Sequence, residues 1–300
     1  MDFYKKIIRN QKLRLKILHL LRFIPDKPML KIQYSIKTGK KLNLKEPKKF
    51  TEKIQWYKLN YKNPILPTCV DKYEVREYVK NKKLGNILNE LYGVFDKPED
   101  INIDKLPDKF VLKTTNGGGG LNVFICKDKS KFDFEKVKKE LSKAQKNKLI
   151  SSGREWPYKK IQPRIIAERF IEHSSNEESL TDYKFYCFNG LPQYLLLING
   201  RESKKKKSIY DIDFNLLKYK YDDYDRINDV RKPDNYNEMV KIAAELSKDF
   251  PFVRVDLYNT NGKIIFGELT FYPASGYLEK ISPDGFDLEL GEKFYLKKYF

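Results

Sequence analysis

The sequence predicts an α+β protein, and three observations carry that reading. Segments with helical periodicity, such as "FTEKIQWYKLNYK" (50–62), are interspersed with short strand-like runs. Two pairs of those runs are joined by tight-turn signals, Asn189-Gly190 and "NTNG" (259–262), which makes them antiparallel hairpins. No internal repeat or long linker interrupts the chain. Helices mixed with antiparallel hairpins are the pattern of an α+β architecture.

Taken in order, the chain opens on "MDFYKKIIRNQKLRLKILHLLRFIPDKP", which alternates apolar and basic residues up to Pro25. Basic residues interrupt the apolar run, so it is neither a signal peptide nor a membrane span, and it reads as a basic amphipathic helix over 1–27. Such a helix either packs on the protein body or lies on an anionic membrane surface. Thr51 is positioned to cap the helix over 50–62. Asp71 followed by Glu74 has the spacing of a capping box for a helix over 71–82. A region punctuated by Gly and Pro follows, and then the strand "KFVLKT" (109–114), four glycines (117–120) and the strand "NVFIC" (122–126).

The second half continues with a helix over 132–149 and a strand over 164–171. The hairpin "DYKFYCF" (182–188) and "LPQYLLLI" (191–198) comes next, then a charged loop at 201–208. A helix begun by Pro233 spans 233–250, and a last hairpin pairs "FVRVDLY" (252–258) with "KIIFGELTF" (263–271).

Composition limits the chemistry. The chain has 300 residues with 60 Lys and Arg against 41 Asp and Glu, a net charge of +19 that favours anionic partners. Nucleic acid is disfavoured among them, because no nucleic-acid-binding motif accompanies the charge. Three scattered cysteines, Cys69, Cys126 and Cys187, give neither a disulfide framework nor a zinc cluster and fit a reducing cytoplasm. Two histidines argue against histidine-based catalysis.

The residues suited to chemistry lie on the last hairpin and at the glycine run. Arg254 and Asp256 are two apart and share a strand face; Glu268 and Thr270 share one on the partner strand. Two neighbouring carboxylates need a cation or a proton between them, and Mg²⁺ suits oxygen donors that also meet a nucleotide's phosphates. An exposed face with ordinary cross-strand salt bridges would look the same in sequence. Lys113 ends a strand just before Gly117–Gly120, whose backbone N–H groups can turn toward a phosphate. The Gly-Lys-Ser/Thr ending of a Walker loop is absent, and a strand rather than a helix follows. A mobile β-turn is the competing reading.

In their order, these pieces resemble the ATP-grasp superfamily, and more narrowly the TupA-like ATP-grasp family found with teichuronopeptide and capsular polysaccharide genes. The stretches that carry the resemblance are "KFTEKIQWYKL", "DKYEVREYV", "FVLKTTNGGGG" and "FVRVDLYNTNGKIIFGELTFYPASG", and it runs from about Pro28 to about Gly276. It implies an ATP-grasp fold with ATP between two α+β lobes. The expected organisation is an N-terminal helix (1–27), a substrate- and lid-supporting region (28–110), a small lobe (111–171) and a large lobe with the metal site (172–300).

The resemblance also implies roles. Lys72 and Lys113 would contact phosphates, with Thr114 and Thr115 beside them and Gly117, Gly118, Gly119 and Gly120 as a lid. Glu168, Arg169, Phe170 and Ile171 would form the adenine linker and Asp182 would meet the ribose. Asp256, Glu268 and Thr270 would hold Mg²⁺, as one or two ions that Mn²⁺ can replace; Thr270 departs from the more usual asparagine. Arg254, Lys113 and Lys184 would be catalytic, and Arg201, Ser275 and Gly276 would meet substrate.

The implied activity is carboxylate–amine ligation through an acylphosphate. The substrate would be a uronic acid or amino sugar of a cell-surface polysaccharide, handled in the cytoplasm or at the inner face of the membrane. A glycosyltransferase is the alternative, for which "DID" (211–213) has the Asp-x-Asp spacing, and a sugar or lipid kinase is another.

Overall fold

The computed structural model describes residues 17, 18, 20–117, 122–146, 153–173, 179–200, 204–227 and 230–296. In chain order the helices are α1 (Asp26–Thr38), α2 (Phe50–Asn60), α3 (Leu66–Val70), α4 (Val75–Asn81), α5 (Phe134–Lys146), α6 (Tyr236–Ser247) and α7 (Phe286–Lys293). The strands are β1 (Leu91–Phe95), β2 (Phe110–Thr114), β3 (Val123–Cys126), β4 (Ile165–Arg169), β5 (Asp182–Phe188), β6 (Leu191–Asn199), β7 (Lys206–Asp211), β8 (Lys220–Tyr221), β9 (Phe252–Thr260), β10 (Lys263–Thr270) and β11 (Ile281–Ser282). The α+β class expected from the sequence is what these elements form. Most of the expected N-terminal helix lies outside the described residues, as do Gly118, Gly119, Gly120 and Arg201.

The chain divides into two compact units, one of 1–63, 151–156 and 173–300 and one of 64–150 and 157–172. The smaller holds an antiparallel sheet in the order β1-β4-β2-β3. Alternation places Phe110 and Leu112 of β2 in a core with Ile165, Ala167, Cys126 and, from α5, Val137 and Leu141. The other face carries Lys113 and Glu168 (below). Because β1 pairs with β4, the expected boundary at residue 110 falls inside this unit. Sequence reading left β1 in an irregular region, since Gly93 and Pro98 hide its pattern.

The larger unit is built on a five-stranded sheet in the order β10-β9-β5-β6-β7. One face packs on α6: Cys187 Sγ contacts the Ala243 carbonyl, and Asn259 Nδ2 lies 2.6 Å from Asn235 Oδ1. The opposite face meets α2 and α7 through rings. Phe50 lies with its ring centre 5.0 Å from Phe252, 6.1 Å from Phe188 and 6.3 Å from Phe294. Such edge-to-face and tilted pairs add roughly 0.5–1.5 kcal/mol each beyond the area they bury. Gly291 of α7 is needed at this contact, because a Cβ there would stand 2.1 Å from the Lys48 carbonyl oxygen.

Two capping expectations are resolved. Thr51 does not cap α2: it lies within the helix, where its N–H and hydroxyl donate to Asp287 of α7 at 2.9 and 2.8 Å. Glu52 accepts from the N–H groups of Lys48 and Lys49 instead. Asp71 Oδ1 does accept from Tyr73 and Glu74 N–H, at 2.8 and 2.9 Å, ahead of α4. The Glu74 side chain pairs with Arg164 rather than closing the box.

Candidate active site

Four chemistry-bearing side chains meet on the β9–β10 hairpin of the larger unit, and a one-residue irregularity brings them together. The turn is Asn261-Gly262, both left-handed (φ 50° and 73°), and it starts the register with Thr260 opposite Lys263. Continued unbroken, that register would set Gly267 opposite Asp256 and Glu268 opposite Val255, on the face that packs against α6. A bulge between Phe266 and Glu268 shifts it, so Glu268 pairs with Asp256 and Thr270 with Arg254. Gly267 occupies the bulge, where a Cβ would stand 2.9 Å from the Asp256 carbonyl oxygen.

On that face Arg254 makes a forked pair with Asp256, Nε to Oδ1 at 2.6 Å and Nη2 to Oδ2 at 2.7 Å. The same Nη2 lies 3.1 Å from Thr270 Oγ1 and 3.4 Å from Glu268 Oε1, and the Thr270 hydroxyl lies 3.0 Å from Glu268 Oε1. Lys184, opposite Asp256 on β5, also pairs with the Asp256 carboxylate and lies 3.5 Å from Asp182 Oδ1. Asp182, Lys184 and Asp256 are buried, whereas the Glu268 side chain is 37 % exposed. Burial works against the Arg254 charge, but Asp256 and Glu268 outweigh it and raise the guanidinium pKa. Tyr186, opposite Arg254, has its phenol pKa raised by burial.

One nitrogen atom thus sits among three oxygen donors from two strands. Two carboxylates and a hydroxyl converging on a positive charge suit a hard cation in donor chemistry. Asp256 Oδ2 accepts from both Arg254 and Lys184, whereas Oδ1 accepts from Arg254 Nε and keeps a lone pair to offer. Among the described residues no group of three or more His, Cys, Asp or Glu is arranged to hold a metal ion unaided. A Mg²⁺ site completed by phosphate oxygens needs no more than two carboxylates from protein.

After β10 the chain enters a left-handed turn at Ala274, Ser275 and Gly276 (φ 49°, 55° and 72°). Non-glycine residues in this region cost roughly 1–2 kcal/mol each and persist only where surroundings impose them. Two buried side chains of α2 do so. Lys58 Nζ donates to the carbonyl oxygens of Ser275 and Gly153, each at 2.8 Å, and lies 3.1 Å from Ser275 Oγ. Gln55 Nε2 donates to the Gly276 and Ser275 carbonyls at 3.0 and 3.3 Å. Burial lowers the Lys58 pKa to about 8. Sequence reading singled out Ser275 and Gly276 but missed Lys58 and Gln55; the one signal was their shared face on an aromatic-rich helix.

In the smaller unit the structure brings together Lys72, Thr115 and Gly117. The Lys72 N–H donates to the Thr115 carbonyl at 3.0 Å and its ammonium to the Gly117 carbonyl. Thr114 and Thr115 are buried at the end of β2. Lys113 faces the other way and pairs with Glu168 at 2.5 Å, and Arg76 reaches the second Glu168 oxygen at 3.6 Å. Arg76 was not foreseen. Glu168 and Arg169 lie in β4, between β1 and β2, so their main chain is in the ladder and Phe170 and Ile171 follow its end.

The Asp-x-Asp spacing at 211–213 has a local use. Both Asp211 carboxylate oxygens accept from Asn215, its N–H at 2.8 Å and its Nδ2 at 2.9 Å, closing the turn after β7.

No curated protein matches the chain. Among solved structures, D-alanine–D-alanine ligase from Bacillus anthracis shares 19 % identity over 68 % of this chain and 57 % of its own, at a TM-score of 0.41. L-amino acid ligase from Bacillus licheniformis shares 14 % over 75 % of this chain and 49 % of its own, at 0.48. D-alanine–D-alanine ligase from Helicobacter pylori shares 15 % over 76 % and 61 %, at 0.42. The chain therefore spans about half to three-fifths of the length of these ligases. The model of one family, the TupA-like ATPgrasp proteins, matches residues 52–295 and so takes in the smaller unit, the glycine run, and the larger unit from residue 52 to 295 with its β9–β10 hairpin. The chain belongs to the TupA-like ATPgrasp family.

Proposed function

We propose that the protein is an ATP-dependent carboxylate–amine ligase that forms an amide through an acylphosphate. The observation that carries this reading is the convergence of Asp256, Glu268 and Thr270 on one nitrogen of Arg254, in a chain of this family. Lys72 and Lys113 bind phosphate oxygens of ATP, and Thr114, Thr115 and the glycine run bind them too. Glu168, Arg169, Phe170 and Ile171 hold adenine, and Asp182 the ribose. Asp256, Glu268 and Thr270 are the residues that would hold Mg²⁺, which when bound neutralises phosphate charge.

The rest follows from this chain's own groups. Arg254 and Lys184, both held on Asp256, are the fixed charges available to a phosphoryl group as negative charge builds on it. A substrate carboxylate oxygen bonds to the γ-phosphorus and ADP leaves. An amine nitrogen then bonds to the acyl carbon, the C–O bond to phosphate breaks, and the amine gives up its proton. Ser275 and Gly276, held by Lys58 and Gln55, orient the substrate, and Arg201 binds it too. Positioning and charge neutralisation supply the acceleration, and no covalent protein nucleophile is used. The substrate is a uronic acid joined to an amino acid or amino alcohol, or an amino sugar joined to an amino acid, within cell-surface polysaccharide synthesis.

The test is to incubate the protein with ATP, Mg²⁺ and a panel of uronic acids, amino sugars and amines, and to measure ADP, phosphate and product mass. An amide product with ADP and phosphate is expected. A phosphate ester would assign a kinase instead. Sugar transfer without ATP consumption would overturn the reading.

A further inference from the structure

A second surface of the larger unit lies at the N-terminal end of the described chain. Nine large hydrophobic side chains are exposed among the described residues, and four of them fall within 17 positions: Leu20 (72 % exposed), Phe23 (78 %), Ile32 (46 %) and Ile36 (47 %). Ile32 and Ile36 are four apart on α1 and form one row on its outer side. Lys27 and Lys31, also four apart and exposed, form the opposite edge of that side, with Pro28 and Ser35 between. Arg22, Lys40 and Lys41 extend the basic edge.

Acidic residues are absent from this face. The one acid between residues 17 and 45 is Asp26, and Arg154 holds its Oδ1 at 2.9 Å. The same guanidinium donates to the carbonyl oxygens of Leu21 and Ile24 at 2.8 and 2.7 Å. The segment bearing Leu20 and Phe23 is therefore tied to the start of α1. The inner side of α1 is spent on the core, with Leu30 and Tyr34 packed on Leu42 and Tyr277. The outer side is thus an aliphatic row and a basic row set side by side, with its orientation fixed from within.

We infer that Leu20, Phe23 and the outer face of α1 form a docking surface for an anionic lipid membrane, with the helix lying in the plane of the interface. Charge complementarity selects the partner. Lysines that extend past an aliphatic row can keep their ammonium groups at lipid phosphates while Ile32, Ile36, Leu20 and Phe23 enter the acyl boundary. A nucleic-acid backbone would use the basic row and leave the aliphatic one exposed. A second copy of a chain carrying +19 would bring like charges together. Residues 1–16 add six more Lys and Arg against one acid, which strengthens attraction to the same leaflet.

The experiment is sedimentation of the full chain with vesicles of neutral phosphatidylcholine and with vesicles containing about one-third phosphatidylglycerol, where several lysines give a large electrostatic gain. Binding to the anionic vesicles only, weakened by salt, is expected. Ile32→Ser with Ile36→Ser should lower the partition coefficient by about tenfold or more, since two side chains leave the acyl region. Lys27→Glu with Lys31→Glu should lower it at least as far. All four positions are exposed, so folding is checked by an unchanged melting temperature, and ATP turnover should be unaffected.

No binding to anionic vesicles overturns the inference, as does wild-type binding by the isoleucine variant, which would assign the attraction to residues 1–16. Tighter binding to duplex DNA, lost in the same variants, would make the face a nucleic-acid interface. A dimer that dissociates in those variants would make it a contact between copies. Either result also overturns the inference.

Discussion

The two carboxylates of the β9–β10 hairpin should separate cleanly when each is neutralised. In Glu268→Gln the lost charge is 37 % exposed and Arg254 Nη2 stands 3.4 Å from it. Pairs of that kind contribute at most about 1 kcal/mol. Unfolding entropy of about 2 cal/mol/K per residue gives roughly 0.6 kcal/mol per degree for a chain of this size, so the melting temperature should fall by about 2 °C or less. In Asp256→Asn the lost carboxylate is buried and accepts the Arg254 fork at 2.6 and 2.7 Å as well as Lys184. Removing one partner of a buried pair costs about 3–5 kcal/mol, or roughly 5–8 °C. Both variants should lose about a hundredfold or more in Mg²⁺-dependent ADP release, because each removes a donor that would stand between the ion and the protein. Differential scanning fluorimetry and a coupled ADP assay on the same preparations give both numbers. If Glu268→Gln turned over ATP like the wild type, or melted as early as Asp256→Asn, the assignment of Glu268 to the ion would be wrong.

Lys58 gives a pH signature. Burial, outweighing the attraction of Glu155 and Asp26 and assisted by Lys37, sets its folded pKa to about 8 against 10.5. Between those values the unfolded chain holds a proton that the folded one has shed. Stability from this group is therefore complete above 10.5 and is lost as pH falls through 8. From pH 7 to pH 9.5 the wild type should gain about 2 kcal/mol relative to Lys58→Met, or about 3 °C in the difference of melting temperatures; a constant difference would refute the low pKa. Gly276→Ala places a Cβ 2.5 Å from Gln55 Nε2 at φ 72°. Left-handed strain and displacement of Gln55 should together cost about 2–4 kcal/mol, seen as a melting point lower by about 3–6 °C. An unchanged melting point would mean that the turn relaxes freely.

Local signals carried much of this molecule. Asn189-Gly190 and Asn261-Gly262 announced two hairpins because left-handed turn residues have few other uses, and both turns form with those residues at positive φ. What stayed hidden depended on distant partners. The lysine run at 204–207 read as a solvated loop, yet β7 begins at Lys206, because β6 supplies a strand to pair with and Glu279 neutralises Lys207. Lys58 reads as a surface lysine, and its burial is decided by carbonyls at residues 153 and 275. Glu168 looks like part of a linker, and its place beside Lys113 is set by the pairing of β4 with β2. The meeting of Asp256 with Glu268 was foreseen as the result of a tight turn, but the turn alone gives the wrong face.

That last point changes what counts as damage to this site. At position 267 the essential information is a length, one residue more on β10 than on β9, and no property of a functional group is involved. Keep that residue but pair it in the ladder, and every acid, base and hydroxyl stays in the chain while Glu268 and Thr270 rotate to the α6 side of the sheet. Comparing this chain with its relatives by residue identity alone would score a side chain at 267, where a Cβ would press on the Asp256 carbonyl oxygen, as one minor substitution. Counting residues between the Asn261-Gly262 turn and the second carboxylate shows which chains need the bulge: one residue fewer brings that carboxylate opposite Asp256 without it, and a strand of this length does so only with position 267 out of the ladder.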